Sequence, residues 1–119
     1  MQKQKGVFIL STVELNESNK DNFKEMITNS DKPVVVDFWG TGCQPCAKMA
    51  PELAALIEEM PNDFQLIKVN VGDFQELAAK DYKIFGVPTL IVFKDGEEKE
   101  RLVGYKPKEE IKKFVAKYL

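Results

Sequence analysis

The chain has 119 residues, 44% hydrophobic and 30% charged, which predicts one globular domain around a single core. With 17 Lys and Arg against 19 Asp and Glu, the net charge of −2 gives no electrostatic case for a nucleic-acid backbone. The absence of His removes Ser-His, Cys-His and His-metal sites, and 2 Cys are too few for a disulfide-stapled scaffold or a one-chain zinc site.

Met1 to Lys5 is basic and Gly6 to Leu10 is apolar. That apolar run is shorter than the roughly 7–15 residues of a signal core, so it reads as a tail entering a first strand over Val7 to Leu15. No stretch reaches the roughly 18 apolar residues of a membrane span, and the chain reads as cytoplasmic. Ser18 and Asn19 offer cap oxygens for a helix from Lys20 to Asn29, with Phe23, Met26 and Ile27 at helical spacing. Ser30 to Pro33 stops it.

Val34 to Trp39 is β-branched and aromatic without clean alternation, as in a strand covered on both faces. Gly40-Thr41-Gly42 ends that strand, and Pro45 suits the first turn of a helix reaching about Met60. Pro51 falls inside this helix and predicts a kink, because it lacks a backbone donor. A strand follows over Phe64 to Val71, then a short helix over Phe74 to Tyr82. Thr89 to Phe93 and Glu97 to Val103 flank Asp95-Gly96, a hairpin signal. Ile111, Phe114, Val115, Tyr118 and Leu119 keep the spacing of an amphipathic terminal helix. The order βαβαβαββα implies a mixed sheet between helices.

Cys43-Gln44-Pro45-Cys46 lies between the buried strand and the helix. Residues three apart share a helical face, so the sulfurs are within reach of each other. At a helix start, free N–H groups and the dipole favour a thiolate at Cys43. Lowering a thiol pKa from about 8.5 to about 7 raises its thiolate fraction at neutral pH roughly 16-fold. Nucleophilicity falls about fivefold over that range, leaving a net gain of only about threefold. The spacing therefore matters most for the second step, in which Cys46 attacks a mixed disulfide intramolecularly. A structural disulfide, a metal bridging two chains and a pair of inert core cysteines are the competing readings; the Gly and Pro flanks argue for exposure.

Asp37 interrupts a hydrophobic strand. A buried carboxylate there carries a raised pKa or finds a partner, and it would serve as proton acceptor for Cys46; the alternative is a solvated strand-end group. Lys68 on the next strand is either a charge that tempers Asp37 or a plain surface lysine. Pro88 opens the hairpin at a position open to the cis form.

Val35 to Trp39, Cys43 to Pro51, Phe85 to Leu90, Phe93 to Gly96 and Val103-Gly104 resemble the thioredoxin family in order and spacing, from about Glu14 to Leu119. Residues 1–13 then form an N-terminal extension and first-strand region before a domain over 14–119. The resemblance implies an α/β fold, a mixed central sheet flanked by helices on both faces. It also implies protein-disulfide reductase activity with no cofactor beyond a redox-active Cys43–Cys46 disulfide. The implied partners are disulfide-containing proteins and a thioredoxin reductase, with the chain a monomer and neither nucleic acid nor membrane bound. By position, Cys43 resembles the nucleophile, Cys46 the resolving cysteine, Asp37 the buried acid and Lys68 its neighbour. Pro88 resembles the cis-proline facing the disulfide, and Val87 the residue whose backbone pairs with a substrate strand. Trp39, Gly86 and Gly104 line the corresponding surface, and Pro51 matches the helix-kinking proline.

Two positions depart from the family pattern. Gly42 replaces the tryptophan usual before the first cysteine, removing apolar contact surface, and Gln44 replaces a glycine. Gln44 and Pro45 place no cation beside the thiolate, so a reducing poise is expected. A binding module of the same fold, with incidental cysteines, and an exported thiol oxidase or isomerase remain the alternatives.

Overall fold

The computed structural model describes residues 11–119. Five strands form one sheet: β1 Thr12–Glu14, β2 Val34–Trp39, β3 Gln65–Asn70, β4 Thr89–Lys94 and β5 Glu97–Val103. Their spatial order is β1-β3-β2-β4-β5. β3 runs parallel to both β1 and β2, whereas β4 is antiparallel to β2 and to β5. The sheet is mixed, as the order of elements in the sequence implies.

Helices cover both faces because β2 is apolar on both. Val34, Val36 and Phe38 pack with Phe23 and Ile27 of α1 (Phe23–Thr28) and with Ala78. Val35 points the other way, into a cluster with Met49, Leu53 and Leu56 of α2 (Gln44–Glu59). Ile111, Phe114 and Val115 of α3 (Lys108–Ala116) complete that second layer. Asp37 shares the side-chain parity of Val35 and so lies beneath α2, near its start.

Several elements differ from expectation. Of the anticipated first strand, Val7 to Leu10 lie outside the described residues, and β1 pairs Thr12, Val13 and Glu14 with Leu66, Ile67 and Lys68. The helix expected from Lys20 opens as a 3-10 turn over Lys20–Asn22 and becomes α-helical only at Phe23. Ser18 and Asn19 do not cap it with their side chains. Asn16 Oδ1 instead accepts from the backbone N–H groups of Ser18 (2.9 Å) and Asn19 (3.1 Å). The short helix before Tyr82 is π-wound over Glu76–Asp81 and closes with Tyr82 N–H donating to Leu77 O at 3.2 Å.

Pro51 sits inside α2, a helix that is otherwise continuous over 16 residues. Asp95 (φ 55°) and Gly96 (φ 80°) both take the left-handed conformation that a two-residue β4–β5 hairpin needs. β5 is an edge strand whose Glu97-Glu98-Lys99-Glu100-Arg101 run is charged throughout. Two carboxylates on α2 fasten α3. Glu52 Oε1 accepts from the Lys108 backbone N–H at 2.7 Å, capping α3 from outside it. Glu59 pairs with both Lys108 and Lys112, whose hydrogen bonds hold its carboxyl down at about 2.

Candidate active site

β2 delivers the chain to the site, and Gly40-Thr41-Gly42 turns it. Gly42 adopts φ +77°, a left-handed conformation suited to glycine. Cys43 follows as the N-cap of α2, with extended backbone and a sulfur that accepts from the Cys46 N–H at 3.2 Å. Cys43 and Cys46 are joined as a disulfide across 5.3 Å between Cα atoms. Both sulfurs sit at the positive end of a long helix, where a thiolate released by reduction is stabilised. The pair is not uniformly exposed, as its Gly and Pro flanks suggest: Cys43 is half-buried, but Cys46 lies under the first turn and is 7% exposed. An incoming group thus meets Cys43 first.

Across from the disulfide, the Val87–Pro88 peptide is cis. Val87 O lies 3.8 Å from Cys43 Sγ. Its neighbours fix this step. Thr89 Oγ1 donates to Gly86 O at 2.7 Å, and Gly104 N–H donates to Pro88 O at 2.8 Å. Val87 itself enters no backbone–backbone hydrogen bond among the described residues. Phe85 (83% exposed) and Val103 (61%) leave apolar surface beside it, and a Cβ placed on Gly86 would lie 4.0 Å from Val103.

Below the disulfide is Asp37, 3% exposed, with Oδ1 lacking any hydrogen-bond partner. The reading of this residue as a solvated strand-end group is therefore overturned. Burial pushes its carboxyl up to about 6; Lys68 works against that shift and Glu14 adds to it. Lys68 is half-buried rather than a plain surface lysine, in register with Asp37, and its Nζ lies 5.8 Å from the centre of the Trp39 ring. Trp39 Nε1 is likewise buried without a partner.

A cleft of about 570 Å³ connects these groups, bounded by Glu14, Asp37, Trp39, Lys68, Cys43 and Cys46. The site residues read from the sequence thus fall in two places. Asp37, Trp39, Lys68 and the cysteines line the cleft, while Gly86, Val87, Pro88 and Gly104 form the loops beside Cys43. Glu14 escaped sequence reasoning, since nothing local announces which residue of β1 will stand beside Lys68. Among the described residues, no cluster of three His, Cys, Asp or Glu is arranged to hold a metal, and no helix is long and apolar enough to cross a membrane.

A bonded cysteine pair capping a helix, opposite a cis-proline and above a buried acid, is the arrangement that the resemblance implies. Residues 14–117 match the family model described as Thioredoxin. The chain belongs to the thioredoxin family. It is 43% identical over 90 residues to a thioredoxin of Bacillus subtilis (strain 168), covering 76% of this chain and 86% of that one. It is 37% identical over 98 residues to a thioredoxin of Porphyra purpurea, covering 82% and 91% respectively. The crystal structure of thioredoxin NaTrxh from Nicotiana alata superposes with a TM-score of 0.80 at 27% identity, over 92% of this chain and 93% of that one. The fold is the thioredoxin fold, and the chain is a thioredoxin-type protein-disulfide reductase.

Proposed function

We propose that Cys43-Gln44-Pro45-Cys46 is the redox centre and that the chain carries electrons from a thioredoxin reductase to protein disulfides. The observation that carries this reading is the position of Cys43. Its sulfur caps α2, is half-exposed, and lies 3.8 Å from the carbonyl of Val87 beside cis-Pro88.

In the reduced protein, the Cys43 thiolate attacks one sulfur of a substrate disulfide. The S–S bond breaks, a mixed disulfide forms, and the departing substrate sulfur takes up a proton. Cys46 then gives its proton to Asp37, directly or through water, and attacks the Cys43 sulfur. The mixed bond breaks, and the second substrate sulfur leaves with the electron pair and is protonated. Two electrons have passed to the substrate, and the Cys43–Cys46 bond is restored. A reductase returns two electrons to reopen it. No other cofactor takes part.

Val87 supports the docking half of this reading. Its backbone groups are available to an extended substrate segment, with Gly86 and Gly104 around them and Trp39 lining the cleft on the other side of the cysteines' loop. Lys68 tempers the charge of Asp37. A monomer in the reducing cytoplasm completes the proposal, since a lone Cys-x-x-Cys pair must be reopened to act again.

Insulin-disulfide reduction tests the activity: acceleration over dithiothreitol alone is expected, and none would refute catalysis. Cys46→Ser should accumulate a mixed disulfide through Cys43. Failure to trap any partner would contradict the assigned roles.

A further inference from the structure

Three side chains from three adjacent strands stand in one row across the sheet: Glu14 of β1, Lys68 of β3 and Asp37 of β2. Residues in register on neighbouring strands point to the same face, so all three look toward the cleft that also holds the cysteines. Glu14 is at the exposed end, Lys68 half-buried in the middle and Asp37 buried at the far end. Among the described residues, Lys68 enters no ion pair with either carboxylate. Its ammonium lies by the Trp39 ring, and the strand on each side of β3 carries an acid at the position in register with Lys68.

We propose that Glu14 is a positioning residue for Lys68, drawing its ammonium along the row away from Asp37 and so setting the pH at which the buried acid ionises. One cation serves two carboxylates, and whatever share Glu14 holds is denied to Asp37. The direct repulsion between the two acids acts in the same direction. The titratable and charged groups around Asp37 are few. They are Lys68 on β3, Glu14 on β1, and Cys46 and Cys43 at the start of α2, while β4 sets the uncharged Leu90 opposite it. The bearing of this device on disulfide exchange rests on the reading of Asp37 as proton acceptor for Cys46.

Carboxyl-carbon NMR of Asp37 against pH tests it in the oxidised protein, where the bonded cysteines do not titrate. Two strand spacings separate Glu14 from Asp37 by about 10 Å; at a dielectric of about 40–80, the direct repulsion alone moves the midpoint by about 0.3–0.6 pH unit. Glu14→Gln should therefore lower the Asp37 midpoint by at least that much, and Glu14→Asp should largely retain it. In a Lys68→Met background, the Glu14→Gln shift should shrink to the direct part. A midpoint that does not move, or a shift equal in both backgrounds, overturns the proposal.

The pH–rate profile for disulfide reduction separates this proposal from the reading beneath it. Its acid limb should follow the Asp37 midpoint to lower pH. If the midpoint moves and the profile does not, Glu14 does govern the buried acid, but Asp37 is not the acceptor for Cys46.

Discussion

Asp37 on β2 and Lys68 on β3 stand directly opposite each other in the parallel ladder, yet no ion pair joins them. The acid is left short of a partner at 3% exposure, and its cation is held to one side over Trp39. That arrangement costs stability at neutral pH and leaves an ionisable carboxyl in the cleft that holds the sulfurs.

Asp37→Asn should slow disulfide exchange and stabilise the fold. Folding raises this carboxyl from 3.8 to about 6, so between those values the native protein holds a proton that the unfolded chain has released. Stability therefore falls as pH rises through that window, by about 3 kcal/mol in total. Asn cannot ionise, so the variant should be the more stable protein at pH 7, with the difference gone below pH 4. Urea denaturation at the two pH values checks both the sign and its disappearance.

Gly42→Ala should destabilise without any clash. A Cβ there meets nothing within 4 Å, but φ +77° is unfavourable for an L-residue. The expected loss is about 1 kcal/mol, read as a lower Tm. An unchanged Tm would show that the loop relaxes to another conformation.

Phe85→Ser should weaken protein substrates selectively. The ring is 83% exposed, two residues before the carbonyl that faces Cys43. Burying it against a partner contributes roughly 1.5 kcal/mol, or about a tenfold rise in KM on removal. The rate with a small disulfide such as oxidised glutathione should stay constant. An equal loss with both substrates would place the effect in the site rather than in docking.

Glu52→Ala should loosen the start of α3. The carboxylate accepts from the Lys108 N–H at 2.7 Å, and Pro107, at the N-cap position, has no side-chain oxygen to replace it. A loss of about 1 kcal/mol is expected, with faster hydrogen exchange at the Lys108 amide.

Features carried by neighbours in sequence were legible before the structure. The apolar run of β2, broken only by Asp37, signals cover on both faces, and Asp95-Gly96 signals its turn through backbone conformation alone. Asp37 stood out because a carboxylate in such a run requires an explanation. Features decided by distant residues were not legible. β1 is three residues long, and its pairing with β3 is parallel and non-local, so the row joining Glu14 to Lys68 has no local signature. The cap of α3 comes from 56 residues away. Cys46 is buried by the turn it helps to form, which the exposed character of its Gly and Pro neighbours conceals.

The outer border of the sheet offers a last consequence. Five successive ionised side chains from Glu97 to Arg101 run along β5, three of them acidic. Two such borders approaching each other would strip water from a row of charges, in which acids outnumber bases, that already hold partners within the chain. Self-zippering is thereby penalised along β5, while the corner at Val87, beside the Cys43 sulfur, carries no charged side chain.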